Sequence, residues 1–364
     1  MAFAPEGGDL RINYTLPGSS LTGGVRTFFE ISKRLVKKGH EVTVTLPRKP
    51  DVAFDWQART FYPRLSMAKN LAGMALGILF RNGLDSEYGY LELEKSIPEC
   101  EVNFATHCFT TFPVHRSGKG KPFYHMQHFE PLFFDNPRLQ RKAEESYYLP
   151  FARIANSSWL KKTVLERTGA ESHLVLQGLD HERFYPREIH TEGHKKRIVA
   201  YGNQRVWKGI PDLLEAMEMV NKQEGGTELI IYGSSPITYK RTGVPYTFLK
   251  GLSDDALAEL YSSADVVACP SWYESFPYPP LEGMACGVPV VTTSIGTEDY
   301  AINEETALVV PPRDSKKMAE AILELMRNEE LRERLKKAGI KKAKEFTWDK
   351  TADTIDSILR REVR

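Results

Sequence analysis

Strand and helix signals alternate along nearly the whole chain, and this alternation limits the fold more than any single motif. Residues 10–16 read as a short strand. A loop Pro17-Gly18-Ser19-Ser20-Leu21-Thr22-Gly23-Gly24 follows. Val25, Phe28, Phe29, Ser32, Leu35 and Val36 then fall at helical spacing, apolar at all but one position, and Gly39 suits a helix end. Residues 41–46 alternate polar and apolar, as a strand does. A β-α-β unit of this kind predicts a parallel sheet with helices on its faces. The alternation restarts later. Residues 197–201, 228–232 and 246–250 read as strands, 211–221 and the segment after Ser253 as helices, and 265–268, 288–292 and 307–310 as apolar strands suited to burial on both faces. Further strands are expected at 101–106, 123–126, 153–156 and 172–176, with a helix at 159–167. Residues 316–364 read as three helices broken near Asn328 and Trp348.

The expected fold is therefore α/β, with two Rossmann-like halves joined near 177–190. The domain expectation is 1–177, then 178–347, with 348–364 as a closing helix that packs back on the first half. A chain of 364 residues is ample for two such cores. The segment 66–80 holds the apolar run Leu71–Phe80, read as a buried helix in preference to one lying on a membrane surface. No stretch reaches transmembrane length, and residues 1–9 lack the basic start and apolar core of a signal peptide. Lys and Arg (49) nearly balance Asp and Glu (48), which disfavours a general nucleic-acid binder. The four cysteines form no CxxC pair, so a reduced, cytoplasmic chain without structural zinc is expected.

The densest chemical feature runs from Pro270 to Val290: Pro-Ser-Trp-Tyr-Glu274-Ser-Phe-Pro-Tyr-Pro-Pro-Leu-Glu282-Gly-Met-Ala-Cys-Gly-Val-Pro-Val. It begins where an apolar strand ends, and open α/β sheets bind ligands beyond the carboxyl ends of their strands. Pro279 and Pro280 suit the first turn of a helix, whose N-terminus offers N–H groups and partial positive charge to a phosphate. A nearby carboxylate can accept hydrogen bonds from a sugar diol. By themselves two glutamates better fit a solvated helix start.

This string resembles the Glu-x7-Glu signature of family 4 glycosyltransferases of the GT-B fold. Asn156-Ser-Ser-Trp-Leu160, Gly178-Leu-Asp-His-Glu-Arg-Phe-Tyr-Pro186 and Ala307-Leu-Val-Val-Pro-Pro312 are similar to other parts of that family. The resemblance covers 20–46 and 150–364 well and 47–122 poorly. It implies two Rossmann-like domains whose parallel sheets face a central cleft. It also implies transfer, with retention of anomeric configuration, of a sugar (hexosyl-type) from a nucleoside diphosphate sugar to a hydroxyl. The acceptor would be a sugar or a lipid-linked sugar in polysaccharide, glycolipid or glycoconjugate synthesis. Peripheral contact with the inner membrane face would accompany it. No nucleic-acid partner and no separate cofactor are expected. No Asp-x-Asp motif is present, so metal independence is expected and no metal ligands are assigned.

The resemblance also assigns roles residue by residue. Glu282 would hold the ribose and Glu274 the donor sugar's hydroxyls. The backbone of Ser275 and Phe276, and the Gly23-Gly24 turn, would approach the diphosphate or sugar. Gly233, Gly251 and Leu252, in turns after two strands, would border the phosphates and base. The family places an Arg and a Lys after the first strand of the second domain, to stabilise the leaving diphosphate. Here Lys208 precedes Gly209 as in the family, but Asn203 holds the usual arginine position and Arg205 stands two residues later. Two cations three apart on a strand-end loop suit a dianion. In the first half, Phe123-Tyr-His125-Met-Gln127-His128-Phe-Glu130-Pro-Leu-Phe-Phe134 marks an acceptor region. His128 is the favoured family-type histidine there, with Gln127 and His107 as further candidates. Its Gln-x-x-Glu-Pro-Leu-Phe pattern resembles the subgroup that includes rhamnosyltransferases. His125 and His128 would point to opposite faces of a strand, which argues against a metal site with Glu130. Two readings on the same fold remain open: a nucleotide-sugar epimerase, and a non-catalytic nucleotide-sugar-binding subunit.

Overall fold

The computed structural model describes residues 9–18, 23–49, 58–63, 90, 92–189, 195–238 and 243–363. The apolar run at 71–80 and the basic residues flanking it lie outside them. The chain divides into two compact units, Met1–Gln177 with Trp348–Arg364, and Gly178–Thr347.

In the first unit, strands β1 (Arg11–Thr15), β2 (Glu41–Thr45), β3 (Arg59–Phe61), β4 (Val102–Ala105), β5 (Lys121–Met126), β6 (Ala152–Ala155) and β7 (His173–Leu174) form one sheet in the order β3-β2-β1-β4-β5-β6-β7. Every pairing among them is parallel. Helix α1 (Gly23–Lys37) buries Val25, Phe28, Ile31 and Leu35. Helix α11 (Trp348–Glu362) packs on α1 and buries Trp348, Ala352, Ile355 and Leu359. The seam is lined by acids at one-turn spacing. Asp349 meets Arg34 at 2.7 Å, Asp353 meets Lys38 at 2.5 Å, and Asp356 reaches His40 Nε2 at 3.0 Å. Apolar spacing on both helices places these charges at its rim.

One face of this sheet carries a buried polar ladder. Asn13 pairs in register with Thr43 and Asn103, and Thr15 with Thr45. The Asn13 amide donates to Asn103 Oδ1 at 2.9 Å, and its carbonyl accepts from Thr45 at 2.9 Å and Thr43 at 3.1 Å. The opposite face is aromatic, with Tyr14 stacked on Phe104 at 4.6 Å.

In the second unit, β8 (Lys196–Tyr201), β9 (Thr227–Gly233), β10 (Tyr246–Lys250), β11 (Val266–Cys269), β12 (Val290–Thr293) and β13 (Leu308–Val310) form a parallel sheet in the order β10-β9-β8-β11-β12-β13. Its core is aliphatic. Ile198, Ala200, Leu229, Ile231, Val266 and Ala268 pack with α6 (Ile210–Gln223) and α9 (Ser315–Arg327). From β8 the chain winds outward through β9 and β10. It then returns to β11 and winds the other way, so the switch point lies between β8 and β11.

The doubly wound α/β class expected from the alternation is observed. The sequence reading missed α2 (Leu93–Ser96), α3 (Cys108–Ser117) and α4 (Pro137–Glu145). Helix α3 buries Cys108, Phe109, Thr110, Thr111, Pro113 and Val114 on several sides and contains a proline, so it shows no apolar stripe. Helix α5 (Ser158–Thr168) begins on the Ser157 cap, where the Asn-Ser-Ser-Trp-Leu string lies.

Candidate functional site

Two loops leave the second sheet at its switch point. Open α/β sheets leave a crevice there because adjacent connections diverge to opposite faces. The loop after β8 carries Lys208 in a short 3-10 turn (Val206–Lys208), and the loop after β11 carries Glu274. Lys208 Nζ donates to Glu274 Oε1, and both side chains are largely shielded from solvent, at 18% and 13% exposure. Ser271 Oγ donates to the same carboxylate oxygen at 2.8 Å. Burial works against the Lys208 ammonium, yet the Glu274 charge and hydrogen bond outweigh it and raise the lysine's pKa above its ordinary value.

Gly209 lets these loops meet. Its φ is +65°, and a Cβ there would lie 1.9 Å from the Pro270 carbonyl oxygen. That contact ties the residue after Lys208 to the residue after β11. The Lys-Gly spelling thus has a packing reason as well as a chemical one.

Glu282 sits in the second turn of α8 (Tyr278–Ala285) and is half-buried. It is the fifth residue of that helix, near the N-terminal end as the sequence reading expected. Its Oε2 accepts from Tyr261 Oη at 2.9 Å, and Tyr261 Oη shares a hydrogen bond with Tyr232 Oη at the end of β9. Tyr261 lies on α7 (Asp254–Ser262). Burial, and secondarily the Glu282 charge, push the Tyr232 phenol well above its ordinary pKa. Both phenols therefore remain hydrogen-bond donors that orient Glu282. Sequence reasoning missed this relay: Tyr232 stands at the head of the strand-end turn read at Gly233, but nothing local pairs it with Tyr261.

The N-terminus of α8 differs from expectation. Pro279 and Pro280 occupy its second and third positions and have no N–H to offer. The helix keeps its dipole there but has few donors for a phosphate.

Arg205 is exposed, with its guanidinium carbon 4.8 Å from the Trp207 ring centroid. Only Lys208 of the two expected cations is joined to Glu274. Ser275 and Phe276 are buried, and the Phe276 ring packs against Tyr278, Tyr300 and Phe346. Gly233 ends β9 against the backbone after β8, where a Cβ would lie 2.2 Å from the Gly202 carbonyl oxygen. Gly251 and Leu252 form the turn between β10 and α7, and Gly251 is exposed.

In the first unit, Gly23 and Gly24 open α1, and a Cβ on Gly24 would touch the Gln127 side chain at 3.8 Å. Gln127 lies just past β5, and its Oε1 accepts from Gln177 Nε2 at 3.3 Å. Gln177 in turn accepts from Thr27 on α1 at 2.8 Å. His128, expected at an open strand end, is buried. Its ring lies 4.6 Å from Phe133 and 5.4 Å from Trp159, and Nδ1 is 3.2 Å from the Phe129 carbonyl. The apolar residues that follow it fold over it in the turn Glu130–Phe133. His125 is buried among Phe28 and Phe104, and burial lowers its pKa to about 3. His107 caps α3, its Nδ1 accepting from the Phe109 N–H at 3.3 Å, and it keeps partial exposure.

Glu130 explains much of this neighbourhood. Its carboxylate is fully buried yet accepts from the Cys108 N–H in the first turn of α3 and lies 3.9 Å from His107 Nε2. A helix N-terminus stabilises such an anion. His107, Cys108 and Glu130 place their potential ligand atoms within 4.8 Å of one another. The N–H groups of Cys108 and Phe109 already engage Glu130 and His107, so a helix cap accounts for the cluster.

Comparison with known proteins bears on the second unit above all. Residues 182–342 match the family described as Glycosyl transferases group 1. O-antigen biosynthesis protein RfbC of Myxococcus xanthus is 28% identical over 267 residues, 71% of this chain and 20% of that protein. The MMP alpha-(1->4)-mannosyltransferase of Mycolicibacterium hassiacum is 33% identical over 199 residues, 50% of this chain and 46% of that enzyme. The chain thus spans between a fifth and about half the length of these curated relatives. Among solved structures, Anabaena HepE in complex with UDP-glucose superposes with a TM-score of 0.75 at 16% identity, covering 97% of this chain and all of that one. This likeness shows the fold, two Rossmann-like units of the GT-B type. Among the described residues, no helix is long and apolar enough to cross a membrane.

Proposed function

We propose, for a chain of the GT-B fold whose residues 182–342 match the glycosyltransferase group 1 family, a retaining, metal-independent transfer of a sugar from a nucleoside diphosphate sugar to a hydroxyl. The acceptor is a sugar or a lipid-linked sugar, and the product a polysaccharide or glycoconjugate. The observation that carries this reading is the Lys208–Glu274 pair at the switch point, with Glu282 held by a tyrosine relay on the neighbouring helix. An ammonium on a carboxylate at a strand end can release the carboxylate to sugar hydroxyls when a diphosphate takes over the cation. HepE, described with UDP-glucose, supports a nucleotide-sugar donor.

In this reading the bond between the anomeric carbon and the diphosphate oxygen breaks, and its electron pair stays on the diphosphate. Lys208 stabilises that charge, supplying the electrostatic role that a metal would otherwise fill. The acceptor oxygen bonds to the anomeric carbon on the face the diphosphate leaves. The acceptor's proton passes to a phosphate oxygen. Glu274 orients the sugar, and Glu282 accepts from the ribose hydroxyls. The first unit supplies the acceptor surface, with His107 a better candidate than the buried His128 for contact with substrate. The chain works in the cytoplasm, with peripheral contact to a membrane face.

The test is turnover of UDP-glucose, GDP-mannose and dTDP-rhamnose, followed as release of the nucleoside diphosphate. One donor series should be hydrolysed slowly and transferred when acceptor is present. Lys208→Ala should lower the rate roughly 100-fold or more, and Glu282→Ala should raise KM for the donor. Isomerisation of the donor sugar would instead favour an epimerase, and binding without turnover a nucleotide-sugar-binding subunit.

A further inference from the structure

The loops after β8 and β11 run side by side with matched rungs. Trp207 stacks on Tyr273, with ring centroids 5.9 Å apart and planes 13° from parallel. The next residue on each strand-end loop forms the next rung, Lys208 on Glu274. The backbones are joined as well, since the Trp272 N–H donates to the Trp207 carbonyl at 2.7 Å. Gly209 then closes on Pro270. Trp272 is anchored on its far side, its indole N–H donating to Asp212 of α6 and its ring lying 3.9 Å from the Arg313 guanidinium. Arg205 covers the Trp207 ring from the first loop itself.

We infer that Trp207 and Tyr273 are positioning residues: their stack fixes the two loops so that Lys208 Nζ stands at the Glu274 carboxylate. The inference rests on the proposed function for its catalytic consequence, but the geometry it describes is independent of any donor. A lysine side chain has four rotatable bonds and loses much freedom when held at one point. The flat aromatic rung next to it removes the loop motion that would otherwise spread Nζ over many positions, and preorganised charge is what stabilises a leaving diphosphate. The groups facing Lys208 are Glu274, Cys269 and Tyr201, whose ring centroid is 5.5 Å away.

Two readouts test this. The first is the pH dependence of Lys208 acetylation by acetic anhydride, followed peptide by peptide in the intact chain. In the wild type, protection of Lys208 should persist above the ordinary lysine range. In Trp207→Leu and Tyr273→Leu the midpoint should fall by a unit or more, while Trp207→Phe and Tyr273→Phe should keep it. The second is a double-mutant cycle on donor turnover. Trp207→Leu should lower kcat about tenfold with KM for the donor little changed, and should add nothing in a Lys208→Ala background. An unshifted Lys208 titration in both leucine variants overturns the inference, and so do additive rate losses. A wild-type chain that turns over no donor refutes the proposed function alone, because the labelling result still decides for or against the brace. The two leucine variants act from different loops, so misfolding of one leaves the other to decide.

Discussion

The two units stack helices on parallel sheets, yet they fill those sheets differently. In the second unit the central strands present Ile198, Ala200, Leu229, Ile231, Val266 and Ala268 to the helices, and the polar chemistry gathers at the strand ends. In the first unit Asn13, Thr15, Thr43, Thr45 and Asn103 run through the sheet itself, all but fully buried. An aliphatic interior sets no unique hydrogen-bond register and tolerates change of shape more readily than change of polarity. A buried amide ladder has one arrangement that satisfies every group, and each group left over costs the full penalty of its desolvation. The second unit can therefore vary its core while keeping its loops. The first is specified by polar pairs that a sequence pattern does not announce. The family match at 182–342 falls within the unit whose chemistry sits in strand-end strings.

The contrast predicts where each unit breaks. The largest effect should come from the second unit's loop crossing. Gly209→Ala forces a Cβ into the Pro270 carbonyl and strains a left-handed backbone, at a cost of about 4 kcal/mol. Hydrogen exchange should show β8 and β11 losing protection while β4 and β5 keep theirs. Equal loss in both sheets would mean the units unfold together.

Acid should act on the first unit. The folded pKa of His125 is lowered to about 3 by burial, so between its ordinary value of 6.5 and that point the unfolded chain binds more protons. Stability is intact above the ordinary value and falls as pH drops through this window, by up to about 1.4 kcal/mol per pH unit. Protection factors in β4 and β5, taken relative to the intrinsic exchange rate at pH 7, 5.5 and 4.5, should fall before those in β8 and β9. His125→Leu should flatten the dependence.

A smaller loss should follow removal of one amide from the ladder. Asn13→Ala leaves Thr43, Thr45 and Asn103 short of a partner and should cost about 2 kcal/mol, read from the denaturant midpoint. Ile231→Val in the aliphatic sheet should cost about 1 kcal/mol. If the two costs are reversed, the polar ladder is not what specifies the first sheet. The smallest effect should be Tyr261→Phe, which removes one hydrogen bond to Glu282. It should weaken nucleoside diphosphate affinity a few-fold, about 1 kcal/mol, without moving the thermal midpoint of the first unit.

Much of the fold was legible in the residues themselves. Strand–helix alternation, the proline-opened helix after Gly209 and the cap at Ser253 are local signals, and local chemistry enforces them. Helix α3 was not legible, because burial on several sides erases the amphipathic stripe that marks a surface helix. His128 read as a site residue because the family resemblance places a histidine at such a strand end. The fold closes Phe133 and Trp159 over it.

The sequence alone determined the parallel α/β class, the Glu274–Glu282 spacing and the Lys208-Gly209 pair, because each is written in neighbouring residues. Tertiary structure alone decided which groups meet. Lys208 and Glu274 are 66 residues apart, and Tyr261 and Glu282 are 21 apart. Asn13 and Asn103 are 90 apart. The order of strands brings these pairs together, and strand order is set by how helices cover a sheet, which no local pattern encodes.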